Sequence, residues 1–320
     1  MTPRVSVVMA VHNGEKYLRQ AIDSMLSQTF KDFEFVIIDD GSTDNSVDII
    51  NSYGDPRIRL IRSSENLGLT RSLNLGLDAA LGVYIARMDS DDVSLPERLQ
   101  KQVAYMDEHP EIIASGTWAH DIDDEGRILG NRSLPIGKRM LYGYWWPCPI
   151  IHPSAIIRKS LLKDRRYDSG IRYAQDYELW LRLRKEHVLG NLAEFLMLYR
   201  VHKGSISIKQ TEAQLRSVHQ SLCRHTGLTV SYEEFLELIG GTRKFNPLRR
   251  VILRGRLACA IHKPYSRYVI DEFLLGKDWL GTVLNPQAIK GRLIQNLYSI
   301  WLRIRPYGKL TPKGRGSGDG

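Results

Sequence analysis

Three aspartates, Asp89, Asp91 and Asp92, fall within four positions directly after the apolar run at residues 83–88. Carboxylates this close repel one another, and a sheet gains no packing energy by placing them at one strand end. A divalent cation relieves the repulsion, and Mg²⁺ or Mn²⁺ prefers hard oxygen ligands while keeping positions for water and phosphate oxygens. The cluster therefore predicts a site for a metal and a phosphate group. The alternative is a solvated acidic turn that leads into the next helix.

Two further segments have side chains suited to a nucleotide. Asp39 and Asp40 follow the apolar run at residues 33–38, and a carboxylate there can accept hydrogen bonds from a base N–H or from ribose hydroxyls. Arg71 stands near the start of a predicted helix, where a guanidinium can meet a base or a phosphate. The alternatives are a turn that caps a helix for the aspartates and an ordinary surface arginine for Arg71.

The elements that would position these residues alternate between strand and helix. Apolar, β-branched runs predict four strands, and helical apolar stripes lie between them. The predicted strands are 5–11, 33–38, 58–61 and 83–88, and the predicted helices are 15–28, one ending at residue 50, and 70–81. This alternation implies βαβ units in a mostly parallel α/β sheet, in which ligands bind beyond the carboxyl ends of the strands. His12 and Asn13 fall there too.

The rest of the chain divides into two predicted regions. Up to residue 210 we predict a helix at 95–109, a strand at 112–118, a loop at 134–151, a helix at 176–185 and a strand at 195–201. Beyond residue 210 only helical patterns remain. We therefore predict a catalytic domain at 1–210, a helical region at 211–308 and a disordered tail at 309–320.

Composition restricts the class of protein. Apolar residues make up 42% and charged residues 25% of the 320 residues, which excludes a disordered, collagen-like or multi-span membrane chain. The cysteines Cys148, Cys223 and Cys259 are too scattered for a disulfide framework, which favours a reducing compartment. We see neither a signal peptide nor an apolar run of about 18 residues, so the expected location is the cytoplasm.

The basic excess lies in the last third of the chain. Residues 211–320 contain 18 Lys and Arg but 8 Asp and Glu, whereas the whole chain has a net charge of +9. Helices of mixed apolar and basic character there suit peripheral contact with an anionic membrane, on the inner face. The alternative is a helical subdomain with a solvated basic face. No nucleic-acid partner is predicted, because no recognition motif accompanies the charge.

The motifs together resemble the family 2 glycosyltransferases, which have the nucleotide-sugar-binding GT-A fold. The resemblance covers about residues 3–205, in the order in which the family has these pieces. The matching segments are Val5–Asn13 (VSVVMAVHN), Ser27–Phe30 (SQTF), Ile38–Asp44 (IDDGSTD), Asn66–Gly76 (NLGLTRSLNLG), Asp89–Asp92 (DSDD) with Leu95–Leu99 (LPERL), and Gln175–Leu183 (QDYELWLRL).

The resemblance implies a role for individual residues toward a nucleotide-diphosphate sugar donor. Asp91 would ligate the Mg²⁺ or Mn²⁺ that bridges the diphosphate. The donor-binding residues would be Ala10, His12, Asn13, Asp39, Asp40, Arg71, Asp89 and Ser90. His12 departs from the family pattern, in which Tyr is more common at this place.

Asp176 matches the family's catalytic base. A carboxylate within hydrogen-bond reach of an acceptor hydroxyl can take its proton as C1 is attacked, and in-line attack inverts the anomeric centre. The alternative role for Asp176 is a helix N-cap.

The resemblance also suggests roles for residues near the metal and the acceptor. His202 would approach the metal or the diphosphate, and Arg200 or Lys203 would offset leaving-group charge. His152 would line the acceptor pocket. Trp146, in the aromatic loop with Tyr142, Tyr144 and Trp145, would stack on the acceptor sugar. Structural roles in packing remain the alternative for the histidines and the aromatic loop.

The predicted function is a metal-dependent inverting glycosyltransferase that acts on a glycan or lipid-linked acceptor, in cell-envelope polysaccharide synthesis. Two alternatives compete with this hypothesis. One is a sugar-phosphate nucleotidyltransferase, although no Gly-rich phosphate loop follows the first strand. The other is a catalytically silent, membrane-associated adaptor with the same fold.

Overall fold

The computed structural model describes residues 2–137, 148–202, 204–205, 211–227 and 229–240. Within them, nine strands form one sheet flanked by helices. The strands are β1 (Val5–Val11), β2 (Phe33–Asp39), β3 (Ile58–Arg62), β4 (Tyr84–Asp89), β5 (Val93–Ser94), β6 (Ile112–Ile122), β7 (Ile128–Arg132), β8 (Ile156–Arg158) and β9 (Val188–Arg200). The helices are α1 (Glu15–Leu26), α2 (Ser46–Asn51), α3 (Leu69–Ala79), α4 (Arg98–Glu108), α5 (Lys159–Leu162), α6 (Gln175–Leu183), α7 (Thr211–Thr226) and α8 (Tyr232–Gly240).

The sheet is parallel in its first half and mixed in its second. Its strand order is β3-β2-β1-β4-β8-β6-β9-β5, and β7 pairs with β6 outside this path. The pairs β3–β2, β2–β1 and β1–β4 are parallel, as the βαβ pattern predicts. β8 is antiparallel to both β4 and β6, and β6 is parallel to β9. The predicted α/β fold class is confirmed.

The central strands are apolar on both faces because both faces are covered. Val7 and Met9 of β1 join a core cluster that includes Ile22 of α1, whereas the next residue along, Val8, joins a second cluster that includes Leu73 of α3. Neighbouring residues of a strand point to opposite faces, so a continuous apolar run is what a sheet between two helical layers requires.

The strand register aligns the carboxyl ends of three strands. Val11 of β1 pairs with Asp39 of β2, and Ala10 pairs with Asp89 of β4. The polar residues that follow these strands therefore meet at one edge of the sheet. β9 ends near the same edge, because its Leu198 pairs with Val93, directly after the aspartate cluster.

Helices α7 and α8 pack against α6 through a third apolar cluster, which includes Tyr177, Leu181, Val218 and Phe235. The helical pattern predicted beyond residue 210 is thus confirmed as far as residue 240, while the domain boundaries at 210 and 308 stay predictions. Among the residues that the structure describes, no helix has the length and apolar character needed to cross a bilayer.

Three strands were not predicted, and two are several residues longer than predicted. β6 continues to Ile122 rather than ending at residue 118. β5, β7 and β8 have 2, 5 and 3 residues, too few for a clear alternation in the sequence. β9 begins at Val188 rather than near residue 195, because its Gly190 and Asn191 are buried inside the sheet instead of forming a turn.

Candidate functional site

A cleft of about 900 Å³ opens at the carboxyl edge of the sheet. It brings together most of the residues that the sequence singled out, although they come from distant parts of the chain. Of those predicted, the cleft is lined by Ala10, His12, Asp40, Asp89, Ser90, Asp91, His152, Asp176 and Arg200. Asn13, Asp39, Arg71 and His202 do not line it, and Trp146 and Lys203 lie outside the described residues.

The acidic loop, residues 89–92, forms the floor of this cleft. Carboxylate oxygens of Asp89, Asp91 and Asp92 lie within 4.8 Å of one another. Burial and the neighbouring Asp89 raise the pKa of Asp91, and burial with both neighbours raises the pKa of Asp92 well above its ordinary value. This concentration of negative charge is unfavourable unless a cation binds.

The donor set of the acidic loop fits Mg²⁺ or Mn²⁺. Its ligand atoms are hard carboxylate oxygens, which these ions prefer. Asp92 is 1% exposed, and its Oδ2 is buried without a hydrogen-bond partner among the described residues. A buried carboxylate oxygen without a partner is costly, and a cation in the cluster would compensate it.

Neighbouring side chains hold the acidic loop in place. Nη2 of Arg87, a residue that is 3% exposed, donates to Asp89 Oδ1 at 2.5 Å. His202 Nε2 lies 3.0 Å from Asp91 Oδ2, and the Gly204 N–H donates to His202 Nδ1 at 3.1 Å. Because Nδ1 accepts a hydrogen bond, the ring proton of a neutral His202 is on Nε2, which donates to Asp91. His202 thus reaches the predicted metal ligand.

The loops at the nucleotide end are built largely by the predicted residues themselves. Both carboxylate oxygens of Asp40 accept backbone N–H groups, from Leu67 at 2.8 Å and from Gly68 at 2.9 Å. The ring of His12 bonds through Nδ1 to the carbonyl oxygen of Asp40 at 2.9 Å. Since His12 is exposed at the cleft while Asp40 is 3% exposed, His12 is the more accessible of the two.

Asn13 and Asp39 also shape these loops. Asn13 adopts the left-handed region with φ 52, and its Oδ1 accepts the Thr43 N–H at 2.8 Å. Asp39 is 1% exposed and accepts the Ser42 N–H at 3.3 Å, as a residue of a turn does. The side chain of Arg71 is exposed in the first turn of α3. The donor-binding roles of these three residues stay predictions.

Asp176 lies in the first turn of α6. It is far along the chain from the nucleotide loops, but it lines the same cleft. The N-cap position is occupied by Ala174, which has φ 56, so the alternative that Asp176 is the N-cap residue is wrong. Burial raises the pKa of Asp176, and a hydrogen bond from Cys148 Sγ to its Oδ2, at 3.5 Å, partly offsets that effect. A raised pKa makes the carboxylate a stronger base.

His152 lies in a short 3₁₀ turn, where its Nε2 and the hydroxyl of Tyr167 are 2.8 Å apart. Burial, reinforced by the charge of Arg87, lowers the pKa of His152 well below its ordinary value, so the ring is neutral at pH 7. The ring also meets the buried Trp180 edge-on at 6.4 Å between centroids. Trp180 is fully buried and therefore belongs to the core.

Arg87 and Cys148 are among the cleft residues that the sequence analysis did not identify. Arg87 stands in an otherwise apolar strand, and a charged residue in such a run is a signal that could have been recognised. Cys148 has no comparable signal, because its role depends on a contact with a residue 28 positions away.

Comparison with known proteins finds relatives over the same part of the chain. The model of the family "Glycosyl transferase family 2" matches residues 6–166. The O-antigen biosynthesis glycosyltransferase WbnJ of Escherichia coli is 35% identical over 207 residues, which are 63% of this chain and 81% of WbnJ.

Two solved structures share the fold. S. aureus TarS in complex with UDP has a TM-score of 0.56 at 20% identity, over 84% of this chain and 89% of that chain. The mannosyltransferase PcManGT from Pyrobaculum calidifontis, in complex with GDP-Man and Mn²⁺, has a TM-score of 0.56 at 16% identity, over 89% of this chain and 88% of that chain.

Proposed function

This chain belongs to glycosyltransferase family 2 and has its GT-A-like fold, and from that premise we propose that it is a metal-dependent inverting enzyme. It would transfer a sugar from a nucleotide-diphosphate donor to a hydroxyl of a glycan or lipid-linked acceptor. Family membership favours glycosyl transfer over nucleotidyl transfer. The acidic residues that the chemistry needs are present, and their presence argues against a catalytically silent adaptor.

One observation carries the proposal: Asp176 and the acidic loop line the same cleft. A transferase of this kind needs a base beside the acceptor hydroxyl and a cation site beside the leaving diphosphate, both facing one sugar carbon. The cleft of about 900 Å³ has room for both substrates in contact.

Asp176 is the proposed base. Its carboxylate would accept the proton of the acceptor hydroxyl while that oxygen attacks C1 of the donor sugar, and the diphosphate would leave from the opposite side, which inverts the anomeric centre. Its raised pKa supports this role. The neutral His152 and Trp146 are proposed to contact the acceptor.

Asp91 would hold the Mg²⁺ or Mn²⁺, with Asp89 and Asp92 beside it and His202 either as a further ligand or as the donor that orients Asp91. When bound, such an ion neutralises the charge that develops on the leaving diphosphate. The Mn²⁺ in the PcManGT complex supports this part of the proposal.

The nucleotide would lie over the loops after β1 and β2. His12 is exposed there for contact with the base, Ala10 and Asp40 line the cleft beside it, and Ser90 and Asp89 would lie nearer the ribose. Asn13 and Asp39, which shape the same loops without lining the cleft, are proposed to complete the base pocket. Arg71 is proposed to reach the base from α3. The UDP complex of TarS and the GDP-Man complex of PcManGT support a diphosphate nucleotide without fixing the base.

The proposed setting is the synthesis of a cell-surface polysaccharide at the cytoplasmic face of the membrane. The name of WbnJ, an O-antigen biosynthesis enzyme, supports it. Residues 211–320 carry the basic excess that would attract an anionic lipid surface. Most of that region lies outside the described residues.

The proposal is tested with a panel of UDP, GDP and dTDP sugars, assayed for nucleotide release with Mn²⁺ and with EDTA. We expect one donor class to be turned over only with the metal. Asp176→Asn should retain donor binding and lose at least about 10²-fold in kcat, the usual contribution of a general base. Asp78→Asn, an exposed aspartate paired with Arg166, serves as the matched control. Full activity of Asp176→Asn would refute the assignment of the base.

A further inference from the structure

Arg200, the last residue of β9, joins the acidic loop to helix α1 and to the turn between β6 and β7. The residue is 2% exposed although it borders the cleft. Its backbone N–H donates to Asp92 Oδ1 at 2.8 Å, and its Nε donates to the carbonyl oxygen of Asp91, also at 2.8 Å. One residue thus bonds two consecutive members of the acidic loop, and both bonds fix where their carboxylates lie.

The outer end of the guanidinium reaches away from the cleft. Nη1 donates to the carbonyl oxygens of Asp123 and Asp124, at 2.7 and 3.2 Å, in the turn between β6 and β7. Nη2 donates to Gln20 Oε1 of α1 at 2.6 Å, and the guanidinium lies 4.4 Å from the centre of the Tyr17 ring. Four of its five N–H groups are therefore occupied by groups of the protein.

This geometry is unsuited to the role that the resemblance implied for Arg200. A guanidinium that stabilises a leaving diphosphate must offer free N–H groups to the ligand. Here the N–H groups bind main-chain carbonyls and an amide, and the fork is buried. The planar, five-donor fork is instead what several fixed carbonyls around one point require, and a lysine could not satisfy them all.

We propose that Arg200 is a positioning residue, which holds the acidic loop in the geometry that binds the divalent cation. The same segment also delivers His202, whose ring lies 5.2 Å from that of Tyr17 and whose Nε2 reaches Asp91. The inference rests on the proposed metal site at Asp91.

The test measures Mn²⁺ affinity without donor or acceptor, by the loss of the free Mn²⁺ EPR signal on titration. Groups that orient metal ligands contribute about 10- to 100-fold to metal affinity. We expect Arg200→Met to weaken Mn²⁺ binding by that factor. Arg200→Lys keeps the charge but not the planar fork, so its Mn²⁺ affinity should lie between those of Arg200→Met and the parent.

Arg158 provides a matched control, because it is also an arginine that clasps carbonyls over a tyrosine ring. Its Nη2 donates to Met106 O at 2.5 Å, and its guanidinium lies 5.1 Å from the Tyr84 ring. Arg158 pairs with Tyr84, the first residue of β4, whereas Asp89 is the last residue of that strand. At about 3.3 Å per residue, Tyr84 and Asp89 are about 17 Å apart. Arg158→Met should lower the melting temperature yet leave Mn²⁺ affinity within about twofold.

Equal Mn²⁺ affinity in Arg200→Met and Arg158→Met would overturn the inference, whatever their melting temperatures. If Arg200→Met does not fold, Arg200→Lys decides, and parent-like Mn²⁺ affinity in that variant would overturn it as well. Asp91→Asn separates this inference from the proposed function. A parent chain that binds Mn²⁺ no better than Asp91→Asn would refute the metal site itself and not merely the role of Arg200.

Discussion

Removing one charge from the acidic loop should stabilise the metal-free protein. Asp92 is the member to change, because asparagine keeps the Oδ1 that accepts the Arg200 N–H and places an NH₂ donor where Oδ2 has no partner. For Asp92→Asn we therefore expect a higher melting temperature in EDTA, although the substitution removes a carboxylate from a predicted metal site.

The magnitude follows from the distances in the cluster. At 4.8 Å and an effective dielectric constant of about 20, each carboxylate pair repels by about 3.5 kcal/mol. Water screens part of this, since the side chains of Asp89 and Asp91 are 29% and 32% exposed. Partial protonation of Asp92 removes a further part. A gain of about 2 kcal/mol remains, which is about 4–8 °C in melting temperature for a domain of this size.

The effect has a defined pH dependence. Burial and the charges of Asp91 and Asp89 raise the pKa of Asp92 in the folded state, so folding favours the bound proton. The contribution of Asp92 to the stability of the metal-free parent is then greatest below the unfolded pKa of about 3.9 and declines as the pH rises through the folded pKa. The advantage of Asp92→Asn should accordingly be larger at pH 8 than at pH 5.

The assay is thermal unfolding with EDTA and with saturating Mn²⁺. At 100 times its Kd, a ligand adds about 2.7 kcal/mol to the stability of the parent. Since the variant binds Mn²⁺ weakly, the order of the two melting temperatures should reverse when the metal is added. Asp78→Asn should change stability by less than about 0.5 kcal/mol in either buffer. A lower melting temperature of Asp92→Asn in EDTA would refute the claim that repulsion dominates this cluster.

Three further predictions concern the base, a loop and the α6–α7 contact. Cys148→Ala removes a hydrogen bond that partly offsets the effect of burial on the pKa of Asp176. The acidic limb of the kcat/KM pH profile should therefore move to higher pH, and Cys148→Ser should restore it. Gly41→Ala should lower the free energy of unfolding, measured with urea, by about 1–3 kcal/mol. The loss should exceed that of Gly54→Ala. Both glycines have positive φ, but only at position 41 would a Cβ clash, at 2.7 Å from a backbone carbon. Glu178 is buried, which alone would raise its pKa, but its hydrogen bonds with His225 and Arg182 lower the pKa below its ordinary value. Glu178→Gln should therefore reduce the free energy of unfolding by about 2 kcal/mol at pH 7. This loss should shrink as the pH falls below the unfolded pKa of about 4.3.

The parallel half of the sheet could be predicted because each of its elements is specified locally. Val5–Val11 and Phe33–Asp39 are mainly apolar runs, and Leu69–Ala79 has a helical apolar stripe. The types of these elements therefore follow from residues that are close in sequence. The position of the acidic loop followed as well, since the carboxyl ends of parallel strands meet at one edge of the sheet.

The mixed half depends on contacts that no short window contains. Gly190 and Asn191 are typical of a turn, yet both lie inside β9. The Asn191 amide donates to the carbonyls of Pro135 and Pro149, each at 2.9 Å, and a Cβ on Gly190 would come within 2.7 Å of the Tyr105 hydroxyl. Tertiary partners thus make a strand of a segment whose own preference is a turn.

The same division applies to the candidate site. The ligands are local, because Asp89, Asp91 and Asp92 form a motif that can be recognised from four residues. Their geometry is only partly local. Arg87 bonds Asp89 from two positions away, but Arg200 and His202 are 108 and 111 positions away from the aspartates they bond. A short acidic sequence therefore indicates which atoms would bind a cation, but only the closure of β9 onto β5 and β6 determines whether those atoms converge. For this reason, substitutions in β9 should impair cation binding while leaving every predicted ligand in the sequence unchanged.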